Sequence, residues 1–166
     1  MTISQLLRKI KKVKGEIQEN RARCQAAVVY DEKEPPAFDF KASKEAADKA
    51  IAELISLETA LRQANAKTNI KTPRGDISLA QATIILAELK SHIAWLRTLS
   101  SQNHEKKSVE SVEYDSVSRQ PYKATHVYFC PFTEAQRAAE LKTSQEEFDL
   151  LNDIVESANH RTNVKF

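Results

Sequence analysis

Ala64-Asn65-Ala66-Lys67-Thr68-Asn69-Ile70-Lys71 recurs ninety-four positions later as Ala158-Asn159-His160-Arg161-Thr162-Asn163-Val164-Lys165. Five of the eight positions are identical, and Lys67/Arg161 and Ile70/Val164 are conservative exchanges. Each copy closes a run of apolar residues at helical spacing, and each loses that period at its Thr-Asn pair. Helix ends leave carbonyls without partners, and Asn and Thr side chains can cap or turn the chain there. Both copies therefore read as helix terminators, and the fold is built outward from them.

The helix before the first copy carries Ala47, Ala50, Leu54, Leu57, Leu61 and Ala64 on one stripe, and Ser43 is read as its opening residue. Upstream, Thr2 and Gln5 form a capping box that starts the first helix. Its stripe of Ile3, Leu6, Ile10, Val13, Ile17, Asn20 and Cys24 follows the 3-4 spacing of a coiled-coil seam. A polar residue such as Asn20 on a seam sets register or partner number, so Ile3, Leu6, Ile10, Val13, Ile17 and Asn20 are expected at a self-interface. The basic cluster Arg8, Lys9, Lys11, Lys12 and Lys14 reads as a solvated face, and no aromatic residues interleave it as single-strand stacking would require. Between the two helices, Asp31-Glu32-Lys33-Glu34-Pro35-Pro36 breaks the period, because proline cannot continue a helix. Phe38 and Phe40 are expected to pin this connector down.

Downstream of the first copy, Thr72-Pro73-Arg74-Gly75-Asp76 reads as a turn, and Ser78 with Gln81 as a second capping box. The third helix is the most apolar, with Leu79, Ala82, Leu86, Leu89, Ile93 and Leu96 on one stripe. From Val109 to Cys130 the period changes to that of strands, with a turn near Ser116 to Pro121, and a β-hairpin is expected there. Thr133 and Gln136 form a third capping box, and the last helix runs to the second copy. The expectation is a mainly α chain: one domain over residues 1–166, an antiparallel bundle of about four long helices with one inserted β-hairpin at about 109–130.

Composition narrows function. The chain has 166 residues, 29% charged and 41% hydrophobic, with a net charge of +2 and only two glycines. Two glycines cannot build a Gly-rich phosphate loop. So mild a charge is below that of a dedicated DNA-binding domain, which argues against a nucleic-acid partner. No segment approaches the roughly 18 apolar residues that span a bilayer, so no stable membrane insertion is expected. Cys24 and Cys130 match no metal spacing and read as reduced thiols of a cytoplasmic protein. His92, His104, His126 and His160 share no metal spacing, and no nucleophile elbow is present. No catalytic residue, metal or cofactor is expected, and the chain is read as a non-enzyme.

Taken together, the seam of the first helix, the acidic proline break Asp31 to Pro36, and Thr68-Asn69 followed by Ile77 to Thr83 resemble the septicolysin-like family of small bacterial helical proteins. The strand Thr125 to Phe129 and the C-terminal Ala158 to Asn163 extend the resemblance over nearly the whole chain. It implies a mostly helical, oligomeric protein of unsettled function. The family name implies a cytolysin, yet the sequence shows no long amphipathic insertion hairpin. The Ser100 to Ser108 loop and the tail Lys165-Phe166 depart from the family pattern.

A helix cap does not need Asn, Lys or Arg, Thr, Asn and Lys together. Amide donors, a hydroxyl and two cations within eight residues can cradle an anionic, polar ligand. Asn65, Lys67, Thr68, Asn69 and Lys71, with Asn159, Arg161, Thr162, Asn163 and Lys165, are thus candidates to bind or sequester a small nucleotide-like anion in a homo-oligomer. The competing expectation is an oligomeric interaction scaffold built on the first-helix seam and the hairpin, in which the repeats are caps alone.

Overall fold

The computed structural model describes residues 1–101, 103 and 105–164. Helix α1 (Ile3–Ala26) starts at the predicted capping box: Gln5 N donates to Thr2 Oγ1 at 3.3 Å, and Thr2 N donates to Gln5 Oε1 at 2.9 Å. Helix α2 (Phe40–Lys67) begins three residues before Ser43, its expected opening residue, because Asp39 is its cap and accepts from Ala42 N at 2.7 Å. Ser43 is instead buried on the stripe. Phe38 and Phe40 stay about half exposed, and the Arg23 guanidinium lies 4.8 Å above the Phe38 ring.

After α2 the chain forms two four-residue strands, β1 (Asn69–Thr72) and β2 (Gly75–Ser78), paired antiparallel from Asn69↔Ser78 to Thr72↔Gly75. Gly75 takes φ +106, a left-handed backbone that a side chain would strain. Helix α3 (Leu79–Thr98) follows directly, its start held by Ser78 and Gln81 as a second capping box at 2.9 and 3.2 Å. Strands β3 (Lys106–Tyr114) and β4 (Pro121–Phe129) make the predicted hairpin, and α4 (Glu134–Arg161) starts at the third box, Thr133 with Gln136. The protein is mainly α, as expected. The expectation of a bundle with one hairpin needs correction, because the segment read as a plain turn is a second antiparallel strand pair. Strands of four residues are too short to show an alternation against the helices that flank them.

The described chain divides into two units, Met1–Ile85 with Leu151–Phe166, and Leu86–Leu150. In the first unit α1 and α2 pack on each other. Cys24 Sγ lies 3.8 Å from the Phe40 carbonyl at one end, and the ion pairs Lys9–Glu53 and Lys14–Glu58, both 2.7 Å, lie further along. The seam expected to face a second copy is spent inside the chain: Ile3, Leu6, Ile10, Val13 and Ile17 are all buried, together with Ala47, Ala50 and Leu57 of α2. Each large aliphatic side chain so buried contributes roughly 1.5–3 kcal/mol. Asn20 donates to the Glu16 carbonyl of its own helix at 2.9 Å, so its amide is satisfied locally.

The second unit is held by long polar side chains as well as by Ile93 and Leu96. Arg137, near the start of α4, donates to the Leu96 carbonyl at 3.2 Å, to Ser101 Oγ at 3.0 Å, and to both oxygens of Glu134. Hydrogen bonds from Arg137 and Ser101 hold the Glu134 carboxyl down at about 2. His92 of α3 lies 3.0 Å from Glu140 of α4. Cys24 and Cys130 are free thiols. Among the described residues, no helix is long and apolar enough to cross a membrane.

Candidate functional site

The two Thr-Asn elements are brought together, and they are built alike. Thr68 caps α2, its N–H donating to the Ala64 carbonyl at 3.0 Å, and Thr162 N does the same to Ala158 at the end of α4, at 2.9 Å. In both copies the chain then turns extended and pairs with the start of another helix. Asn69 pairs with Ser78, the cap of α3; Asn163 pairs with Thr2, the cap of α1. The Thr68 carbonyl accepts from Leu79 N at 2.8 Å, and the Thr162 carbonyl accepts from Ile3 N at 3.1 Å. Ile70 and Val164 are buried behind the two pairs. The C-terminal copy thus has a partner, the N-terminus of its own chain, fastened further by Val164 N donating to the Met1 carbonyl at 2.8 Å.

Two clefts open beside these elements. One, of about 230 Å3, lies between Gln63 and Lys67 of α2, with the cap Thr68, and the segment Thr162, Asn163 and Val164. The other, of about 440 Å3, lies between the α4 side chains Asp153, Ser157 and Arg161 and the segment Asn69, Ile70 and Lys71. Thr68 and Thr162 border both. Lys67, Thr68, Asn69, Lys71, Arg161, Thr162 and Asn163 are therefore gathered along these two clefts. Asn65 and Asn159 border neither cleft; both are half-buried on their helices, and Asn65 Oδ1 is buried without a hydrogen-bond partner. Lys165 lies outside the described residues.

Electrostatics at the clefts are mixed. Among the described residues Lys67, Lys71 and Arg161 form no ion pair, and the side chains of Thr68, Asn69, Thr162 and Asn163 form no hydrogen bond. Against these cations stand the helix C-termini, each worth about half a negative charge. In the larger cleft Asp153 adds a full one. Lys67 against the end of α2 leaves about +0.5 at the smaller cleft; Lys71 and Arg161 against Asp153 and the end of α4 leave the same at the larger. Asp153, like the cleft residues Gln63 and Ser157, stands outside the repeated sequence pattern. It lies on α4, eight residues before Arg161, and nothing in its local spacing marks it.

Two other features carry polar or open surface. A groove of about 660 Å3 lies under the connector at Tyr30, Pro35, Pro36 and Phe40; its one carboxylate, Asp39, is committed to capping α2. On the β3–β4 hairpin, His126 Nε2 lies 2.6 Å from Glu113 Oε1 and 3.0 Å from Ser111 Oγ, while Tyr122 Oη donates to Glu113 at 2.8 Å. The Tyr122 hydroxyl, followed by His126, lowers the Glu113 carboxyl below its ordinary range. A Ser-His-acid relay needs the carboxylate on Nδ1 and the hydroxyl on Nε2. Here both converge on the same nitrogen, so the cluster is not that relay. Among the described residues no three His, Cys, Asp or Glu side chains are grouped to hold a metal.

No protein-family model and no curated protein sequence matches the chain. The fold is shared with a crystal structure of a functionally unknown conserved protein from Corynebacterium diphtheriae, at a TM-score of 0.76 and 14% identity, over 99% of each chain. At that identity the likeness establishes the fold alone.

Proposed function

We propose that this chain is a non-enzymatic binding protein that holds or sequesters a small anionic, nucleotide-like ligand at the joined Thr-Asn elements. One observation carries the reading: Thr68 and Thr162, ninety-four residues apart, border the same two clefts, beside cations that have no partner among the described residues. Backbone pairing accounts for the position of these residues but not for their identity. The carbonyls of Thr68 and Thr162 accept from Leu79 and Ile3, and a carbonyl of any residue would serve. The hydroxyls, amides and cations are left facing the clefts. Lys and Arg suit a phosphate, whereas Thr hydroxyls and Asn amides suit the hydroxyls and heteroatoms of a sugar or base. A cleft of about 440 Å3 has the size of a small-ligand site.

The double variant Thr68→Ala/Thr162→Ala tests this with adenosine 5′-monophosphate as the probe. It keeps both carbonyls, so thermal stability should stay within a few degrees of the parent while binding is lost. Unchanged binding would refute the ligand reading, and a large loss of stability would return the two threonines to a capping role.

A second reading, an oligomeric interaction scaffold, is favoured by the hairpin. Val112, Tyr114, Val127 and Phe129 share one face and are all exposed, and a two-stranded hairpin alone is marginal in water. Strand β3 carries Lys106, Lys107, Glu110 and Glu113, charges that blunt an edge, whereas β4 carries Lys123 as its one fixed charge. The partner of this reading is a second copy, adding its β4 antiparallel to the first about Thr125. Tyr122 then faces the partner's Tyr128, Thr125 faces its own copy, and Lys123 meets Val127 rather than a like charge; aromatic and Thr–Thr cross-strand pairs are favourable.

A further inference from the structure

We infer that the chain carries two equivalent ligand sites, one for each Thr-Asn element, produced by an internal duplication; this rests on the binding reading above. The equivalence extends beyond the eight-residue repeat. Adding ninety-four to the number of each α2 residue bordering the smaller cleft gives a residue bordering the larger one. Ala60 maps to Ile154, Gln63 to Ser157, Lys67 to Arg161 and Thr68 to Thr162. The opposite walls exchange in the same way: Thr162, Asn163 and Val164 of the smaller cleft correspond to Thr68, Asn69 and Ile70 of the larger. Each cleft is thus made of one copy's helix end and the other copy's extended segment.

The same offset relates the caps Asp39 and Thr133, which begin the two helices. It also relates the buried stripe positions Leu57 and Leu151. The helices that enter the two pairings repeat as well. Ile3, Leu6, Ile10, Val13 and Ile17 of α1 fall seventy-six positions before Leu79, Ala82, Leu86, Leu89 and Ile93 of α3. The two offsets differ because residues 99–133, holding the β3–β4 hairpin, replace the shorter connector between α1 and α2.

The copies have diverged where packing is permissive, as in Ala60 against Ile154. They agree at the helix ends: a cation one residue before a threonine, then an asparagine. Lys71 and Asp153 belong to the larger cleft only. The two sites therefore share a phosphate-scale recognition unit and differ in affinity. The class of ligand that fits both is a small monophosphorylated polyol or sugar.

Titration of uniformly 15N-labelled protein with ribose 5-phosphate separates the sites, because each has reporters the other lacks. The Gln63 side-chain amide and Asn163 report the smaller cleft; Asn69 and Ser157 report the larger. Both sets should shift and saturate with different midpoints. Lys67→Ala should abolish shifts at Gln63 and Asn163 and leave Asn69 and Ser157 responsive, and Arg161→Ala should do the reverse. If one set alone responds in the parent protein, or if either variant silences both sets, the two-site inference fails while the binding reading stands. If neither set responds, the two-site inference fails, and the binding reading is decided separately by titration with adenosine 5′-monophosphate.

Discussion

Replacing Val164 by alanine tests whether the C-terminal element is docked as firmly as its internal counterpart. Val164 and Ile70 hold equivalent places and are 7% and 8% exposed. Val→Ala removes two buried carbons, worth about 0.8 kcal/mol each, and the residual cavity brings the loss to about 2 kcal/mol. Ile70→Ala removes three, and the same reasoning gives about 3 kcal/mol. Urea unfolding followed by circular dichroism should show both midpoints lowered with an unchanged slope. Val164→Ala should also speed hydrogen exchange at the Ile3 and Val164 amides, whose bonds to Thr162 and Met1 depend on the docked segment. A loss below about 0.5 kcal/mol for Val164→Ala beside about 3 for Ile70→Ala would refute the equivalence of the two elements.

Asn20→Leu should change stability by less than about 1 kcal/mol and leave the molar mass in light scattering unchanged, because one local hydrogen bond is exchanged for apolar burial. Acid should loosen the start of α4: Glu134 is held at about 2 against 4.5, so its contribution is complete above 4.5 and is lost as pH falls through about 2. Arg137→Met should weaken that dependence, leaving the part due to Ser101, as read from the pH profile of the melting temperature. Thr125→Pro, which introduces a residue without an N–H into β4, should lower the oligomeric mass if β4 pairs with a second copy; an unchanged mass would set that pairing aside.

The helices and their starts were readable because capping chemistry is local. Thr2, Ser78 and Thr133 each meet a Gln three residues on, and all three boxes form. The boundary of α2 is harder to read, because its cap Asp39 lies between two phenylalanines of the connector while Ser43 offers a second capping residue four positions on. The strands β1 and β2 are too short to show a strand period, although the turn between them is legible from Pro73 and Gly75. The partner of the C-terminal copy is the feature least visible in the sequence. Nothing local to Asn163 points to Thr2, since the two lie at opposite ends of the chain and their pairing exists only in the folded molecule. For the same reason the seam of α1 read as an interface: a stripe of Ile, Leu and Val looks identical whether a second copy or the chain's own α2 covers it. The cations, threonines and asparagines of the two elements stand out in the sequence because their side chains exceed what a helix end requires; Gln63, Asp153 and Ser157 do not, because a lone polar residue on an amphipathic helix carries no signal.

The central claim is that the joined Thr-Asn elements bind a small anion, and the chemical shifts of their amides test it most directly. Titration of the parent protein with adenosine 5′-monophosphate at low salt should move Thr68, Asn69, Thr162 and Asn163, with the effect weakening as ionic strength rises. Saturating shifts confined to residues outside these two elements, or none at millimolar ligand, would contradict it.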